Sequence, residues 1–399
     1  MWCGSRTITT ANDMTEKIIV FGAGATGRGH VGLLAWQAGF EMVFIDKKPA
    51  LVDALRRAGR YAVKLYGENP EEISVSGFRM YHSEEREAIA EEIRDAKLVL
   101  TAVFDQNLAD VAETVALGLA ACARSGRNTP LNFIACENMM DSSTALGNHV
   151  HRHVSGDALG WFEQYAGFPD CMISRVVPRP EPDPLVIVAE DYNEWTTRRD
   201  AFRGSKPAAL GALELVDNQT ARLERKLFIH NGGHAACAYF GFHRGHKFIH
   251  EAVADAEVAR CVLGTLDELG AVVQHKWGFS PESIDAYKQD LCRRGAVPEM
   301  RDEILRVVRD PIRKLSPRER LVAPANLAVA AGLPANWIAR AIVAALRYQH
   351  PQDPQSVELA GRLAERGREQ VLQEISGIEP GSPLACEIET AWQAWPNAH

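Results

Sequence analysis

The stretch Lys17-Ile-Ile-Val-Phe-Gly-Ala-Gly-Ala-Thr-Gly27 decides the fold. Lys17 to Phe21 is a short apolar run that predicts a buried strand, and Gly27 to Gln37 has the composition of a helix. A Gly-x-Gly-x-x-Gly turn between a strand and a helix is the context in which such a turn binds a dinucleotide. Gly22 permits the tight turn, Gly24 lets backbone approach a pyrophosphate, and Gly27 allows helix to pack on strand. The turn and helix start, Gly22, Ala23, Gly24, Ala25, Thr26, Gly27 and Arg28, then offer N–H donors and a positive dipole to phosphates. Asp46 ends the next predicted strand, Glu41 to Asp46. A carboxylate there accepts both ribose hydroxyls of NAD and repels the 2′-phosphate of NADP. NAD is therefore the expected cofactor.

Outward from this turn, strand and helix signals alternate. Leu98 to Val103 and Leu131 to Ala135 read as buried strands, with the helical stretch Asn107 to Ala123 between them. That alternation predicts a mostly parallel sheet with helices on both faces. Ala102 and Val103 close one strand and Asn138 follows another, positions where such sheets hold ligands. Pro178 to Pro184 breaks the pattern, and Leu185 to Ala189 reads as the last strand. From about Thr220 the spacing becomes helical, over Thr220–Phe240, Ile249–Leu269, Pro281–Arg294, Pro334–Tyr348 and Ser356–Ile375. The expected organisation is a polar tail over 1–16, a Rossmann-type domain over 17–205 and an α-helical domain over 206–399. Met14 is an alternative start.

Composition narrows the function. A 46% hydrophobic, 24% charged chain is an ordinary globular one, and a net charge of -8 argues against nucleic acid or a membrane surface as partner. No apolar run approaches the roughly 20 residues of a membrane span. The cysteines include no Cys-x-x-Cys pair and read as reduced thiols, which points to the cytoplasm. The expected partner is a small molecule, with the chain a monomer or small homo-oligomer.

Lys226-Leu-Phe-Ile-His-Asn-Gly-Gly-His234 is the most informative stretch of the second half. At about 100° per residue, Lys226, His234 and Asn231 fall at roughly 0°, 80° and 140° on a helix. Oxidising an alcohol needs a proton acceptor and donors for the developing oxyanion. A desolvated lysine serves as base, Asn231 donates to the oxygen, and His234 orients the hydroxyl. His230 lies in the same arc, so the spacing does not single out His234, and a neutral imidazole is a rival base. Gly232 and Gly233 cost a helix about 1 kcal/mol each and imply close approach to its backbone. His243, His246 and His250 sit on one helix without a Cys or carboxylate to close a metal set, and no metal is expected.

These residues resemble the mannitol dehydrogenase family, the polyol-specific long-chain dehydrogenases, and within it the branch acting on mannitol 1-phosphate. The resemblance rests on the turn at 21–29, Ile-Ala-Cys-Glu-Asn-Met at 134–139, Glu-Arg-Lys-Leu-Phe-Ile-His-Asn-Gly-Gly-His at 224–234, Arg-Asp-Pro-Ile-Arg-Lys-Leu-Ser at 309–316 and Asp-Pro-Gln-Ser at 353–356. It implies metal-free catalysis with Lys226 as general acid/base, Asn231 in the oxyanion site and His234 positioning substrate. It also implies an active site between the two domains and interconversion of mannitol 1-phosphate and fructose 6-phosphate. Arg313 and Lys314 are then candidates for the phosphate. The other expected substrate class is an unphosphorylated polyol or a hexonate. Phe104 stands where the family has a small residue, Ala323 where a lysine is common, and Asp170 where the free-mannitol branch has an asparagine.

Overall fold

The computed structural model describes residues 16–137, 140–178 and 182–395. Asn138 and most of the expected tail lie outside the described residues. The chain forms two compact units. The first runs to Lys64 and then takes Glu71–Ala189 and Asn193–Asp217; the second is Leu65–Pro70, Glu190–Tyr192 and the chain from Asn218 onward.

The strands, in chain order, are β1 Lys17–Phe21, β2 Glu41–Asp46, β3 Arg60–Tyr66, β4 Glu71–Ser76, β5 Arg79–His82, β6 Ala96–Thr101, β7 Leu131–Ala135, β8 Ala166–Gly167, β9 Cys171–Ser174, β10 Val186–Glu190, β11 Glu194–Arg198 and β12 Leu213–Val216. Six of them form the main sheet in the order β5-β2-β1-β6-β7-β8. Its pairs are all parallel. Helices cover both faces of such a sheet, so its central strands read as unbroken apolar runs. Ile18, Ile19 and Val20 are accordingly fully buried. Strand order reverses beside β1, between β2 and β6, which makes the glycine turn after β1 a topological switch point.

Three differences from the sequence reading have physical causes. β5 has only four residues and sits at the sheet edge, too short to show a period. β11 and β12 follow the expected last strand, and β11 pairs with β12 on one side and with β9 on the other. Because β12 pairs there, the change of unit falls at Asp217/Asn218, beyond the expected 205/206.

The second unit is mainly helical. Its central helix, Gly233–His243, is buried nearly all round and built of small residues, Ala235, Ala236, Cys237 and Ala238 among them. A helix without a polar face belongs inside a bundle. It packs on helices Ile249–Ala254, Ala256–Trp277, Ile304–Val308 and Asn336–Leu346. Glu268 ties two of these together. Its Oε2 accepts from the backbone N–H groups of Trp337 and Ile338, each at 2.9 Å, at the start of Asn336–Leu346. Ala335 at the cap position supplies no acceptor, so this carboxyl caps the helix from outside it.

Glu268→Ala should cost about 2–3 kcal/mol in urea denaturation, by leaving one buried and one part-buried donor unpaired, whereas Glu268→Gln should cost much less. Burial raises the Glu268 pKa despite the backbone hydrogen bonds. The folded state then holds its proton more tightly than the unfolded chain does. This carboxyl's contribution therefore falls as pH rises from the unfolded pKa through the folded one. In Glu268→Gln that part of the pH dependence should vanish.

Candidate active site

In the first unit the glycine turn is shaped by what a side chain would strike. Gly22 has φ +94, and a Cβ there would lie 2.1 Å from the Ala102 carbonyl oxygen. A Cβ at Gly27 would lie 1.8 Å from the Gly22 carbonyl oxygen. At Gly24 a Cβ would meet nothing within 4 Å. Two glycines thus close the turn and the third faces open space. The following helix begins with a wide turn over Gly27–Val31, in which the Gly32 N–H donates to the Gly27 carbonyl, before tightening to Gly32–Gln37. Gly24, Ala25 and Thr26 are half-buried, whereas Ala23 and Arg28 are buried. The Arg28 guanidinium turns inward, donating to the carbonyls of Ala23 at 2.6 Å and Pro184 at 2.8 Å.

Asp46 stands beside this turn. One carboxylate oxygen accepts from the Ala23 N–H and the other from the Lys48 N–H, each at 2.9 Å. Both bonds fix the carboxylate and leave its outer lone pairs toward a cleft of about 340 Å³. Gly22, Gly24, Asp46, Ala102, Val103 and Phe104 are among its lining. Open backbone at Gly24, a fixed carboxylate and an adjoining cleft suit the pyrophosphate and adenosine ribose of a dinucleotide. Glu137, buried after β7, holds the far wall by accepting from Thr101 Oγ1, the Val103 N–H and the Phe104 N–H. It sits inside the quoted 134–139 stretch, so a local signal was present, but its role depends on contacts made across the sheet.

In the second unit, Lys226–Gly232 is wound as a π-helix. Its hydrogen bonds run i→i+5, so each turn takes more residues than in an α-helix. Lys226 and Asn231 are five apart and come onto one side, closer together than the 140° of an α-helix. Gly232 and Gly233 are where neighbours approach. A Cβ at Gly233 would lie 2.4 Å from Leu266 Cδ2, and one at Gly232 would lie 2.8 Å from the Arg320 carbonyl oxygen.

The two histidines have different environments. His230 is buried, and Arg294 Nη2 lies 3.3 Å from its Nδ1. Arginine can only donate, so Nδ1 accepts and the ring hydrogen sits on Nε2. Burial, then the charges of Arg294, His234, Lys226 and Arg320, keep the His230 pKa well below its usual value. His230 is therefore a neutral donor in this setting. His234 Nε2 lies 2.9 Å from Asp302 Oδ2. Asp302 is mostly buried; burial alone would raise its pKa, but hydrogen bonding and charge from His234 and Arg306 hold it below the usual value. An ionised acceptor places the His234 hydrogen on Nε2 and leaves Nδ1 available to a hydroxyl group. Asp302 and Arg294 carried no signal in the sequence, because each is far along the chain from the histidine it meets.

The cations considered for a phosphate lie in the same unit. Arg313 is exposed, with Nη1 3.1 Å from Glu319 Oε1. Arg320 Nε lies 2.8 Å from the other oxygen of Glu319. Lys314 is buried with its amine on the Arg309 carbonyl. Burial, then the charges of Arg320 and Arg313, push its pKa down to about 7. Among the described residues no group of three or more His, Cys, Asp and Glu is placed to hold a metal ion. His243 Nε2 lies on the Ala344 carbonyl and His246 Nε2 on Asp255. Nor is any described helix long and apolar enough to cross a membrane.

Residues 16–210 match the mannitol dehydrogenase Rossmann domain, and residues 220–395 match the mannitol dehydrogenase C-terminal domain. The chain belongs to the mannitol dehydrogenase family. Both halves of this oxidoreductase are present in one chain, and the change of unit after Asp217 falls between the two matched stretches. The fold is also that of Pseudomonas fluorescens mannitol 2-dehydrogenase, solved as a ternary complex with NAD and D-mannitol. That match has a TM-score of 0.74 and 17% identity, and covers 96% of this chain and 92% of the other. A D-sorbitol dehydrogenase in substrate-free form matches with a TM-score of 0.77 and 15% identity, over 95% of this chain and 93% of that one. Asp170 is buried, and its carboxylate accepts from the N–H and hydroxyl of Thr144.

The three glycines of the turn should separate by substitution. Gly24→Val should retain parental stability, since its side chain enters open space, yet weaken dinucleotide binding more than tenfold. Gly22→Ala and Gly27→Ala should instead lower the thermal midpoint, because each Cβ meets a backbone carbonyl. Fluorescence titration and thermal unfolding of the three variants give both readouts.

Proposed function

We propose that the protein is an NAD-dependent polyol dehydrogenase that interconverts a secondary alcohol and a ketone, with Lys226 as general acid/base. The observation that carries this reading is the π-wound segment, which gathers Lys226 and Asn231 on one side with His234 one turn further on. When bound, NAD takes or gives the hydride. The side chains of this segment handle the proton and the oxygen. In oxidation the Lys226 amine takes the hydroxyl proton, and the Asn231 amide donates a hydrogen bond to the oxygen as it gains charge. His234, oriented by Asp302, receives a neighbouring hydroxyl at Nδ1. His230, fixed as a donor by Arg294, is poorly suited to act as base. Asp46 supports NAD over NADP by charge.

Of the two substrate forms, an unphosphorylated polyol or hexonate fits the second unit better. Arg313 and Arg320 share Glu319, and the Lys314 amine is turned onto a backbone carbonyl, so these cations already have partners within the chain. A second reading, mannitol 1-phosphate and fructose 6-phosphate, is favoured by one observation. Arg313 and Arg320 create a positive field strong enough to help depress Lys314, and a phosphate dianion would relieve it.

Lys226→Ala should lower kcat by about 10²–10⁴-fold, the usual contribution of a general base, with little change in NADH affinity. If that variant stays within a few-fold of the parent while His234→Ala collapses, the proton goes to histidine instead.

The substrate is decided by NADH oxidation with fructose, fructuronate and fructose 6-phosphate side by side. An unphosphorylated sugar or hexonate should give the highest kcat/KM, and Arg313→Ala should leave it unchanged. A large preference for fructose 6-phosphate, lost in Arg313→Ala through a raised KM, would establish the phosphate reading.

A further inference from the structure

Phe104 is the most exposed of the large apolar residues described, at 73%, and it has φ 68. A bulky residue in the left-handed region is strained and persists only where its surroundings impose it. Here the imposition is explicit. Glu137 accepts from the Val103 N–H at 2.7 Å and from the Phe104 N–H at 3.0 Å. The Asn107 N–H donates to the Phe104 carbonyl at 3.0 Å, and the Asn107 side-chain amide donates to the Val103 carbonyl. A buried carboxyl group and a side-chain amide thus lock two residues of backbone, with the outcome that an aromatic ring is presented to solvent. Nothing in the packing of the first unit requires that ring, since it is not part of a core.

The ring does line the dinucleotide cleft. It shares that cleft with Asp46 and Lys48 after β2, and with Ser83 and Arg86 after β5. Those residues lie on the β2 side of the switch point, where the adenosine half of a dinucleotide binds. Ile45 and Val111 supply further apolar lining. The base is the one group in that half with a broad apolar face, and bases stack on aromatic rings. We propose that Phe104 is the stacking platform for the adenine of the bound dinucleotide, and that Glu137 is the positioning residue that holds the platform in place. The proposal rests on NAD binding in this cleft and is independent of which polyol is the substrate.

The test uses the full chain, with AMP and nicotinamide mononucleotide as separate probes of the two halves, titrated by calorimetry or as inhibitors competitive with NAD. Phe104→Ala should weaken AMP and NAD alike by about 5- to 30-fold, within the range of base–aromatic stacking. Nicotinamide mononucleotide should stay within twofold, and Phe104→Tyr should bind AMP like the parent. Phe104→Gly should lose the same affinity yet raise the urea midpoint, because glycine carries no penalty at φ 68. Glu137→Gln should weaken AMP binding in the parent and add nothing in the Phe104→Ala background, the coupling expected if it acts through the ring. AMP affinity within twofold in Phe104→Ala, or a loss confined to nicotinamide mononucleotide, overturns the platform. An undiminished effect of Glu137→Gln in that background overturns its positioning role. A parent that binds neither AMP nor NAD would overturn the cleft itself, an outcome distinct from the other two.

Discussion

The constraint on which the first unit depends is the contact between the start of its first helix and the turn that precedes it. The space between Gly27 and the Gly22 carbonyl admits no Cβ, and neither does the space between Gly22 and the Ala102 carbonyl. With both side chains absent, helix and strand ends close together, and β6 can lie directly against β1. Since β2 flanks β1 on its other side, this arrangement makes the switch point, and a ligand has its place there. Gly24 belongs to the same motif for the opposite reason, since it faces open space. Asp46 joins the same device by accepting from the Ala23 N–H, which ties the end of β2 to the shape of the turn.

The second unit depends on a different local departure, the π winding of Lys226–Gly232. Such windings are rare and tend to mark functional sites. Here the wider turn brings Lys226 and Asn231 to one side. It is followed at once by two glycines that let Leu266 and the Arg320 carbonyl press against the helix. Packing over the glycines compensates for the helix propensity they lack.

Buried charge around this segment serves orientation more than stability. Arg294 is almost fully buried, with Nη1 2.9 Å from Glu190, Nε 2.8 Å from Asp290, and its guanidinium 3.9 Å from the Tyr192 ring. A buried ion pair of this kind is weak evidence of net stabilisation, because desolvation offsets much of the attraction. What it does fix is the tautomer of His230. Asp302, itself held by Arg306, does the same for His234. The two imidazoles lie 6.1 Å apart and are thereby given distinct partners, a guanidinium for His230 and a carboxylate for His234.

The sequence by itself determined what is local. Lys17 to Gly27 specifies strand, turn and helix within one short run, Asp46 closes the neighbouring strand, and period 3.6 marks the helical second half. The Lys226 to His234 cluster is legible because its members share one helix. Tertiary structure decided the rest. The four-residue edge strand β5 gains its pairing from β2, β12 from β11, and β11 from β12 and β9. The π winding coincides with packing at Gly232 and Gly233 that no spacing rule contains. Lys314, which the sequence offers as a phosphate candidate, is buried. Asp302 and Arg294 reach their histidines across 68 and 64 positions. The physical reason is common to these cases. Hydrophobic period and turn chemistry are set by neighbours in the chain, whereas protonation, tautomer and backbone strain are set by neighbours in space.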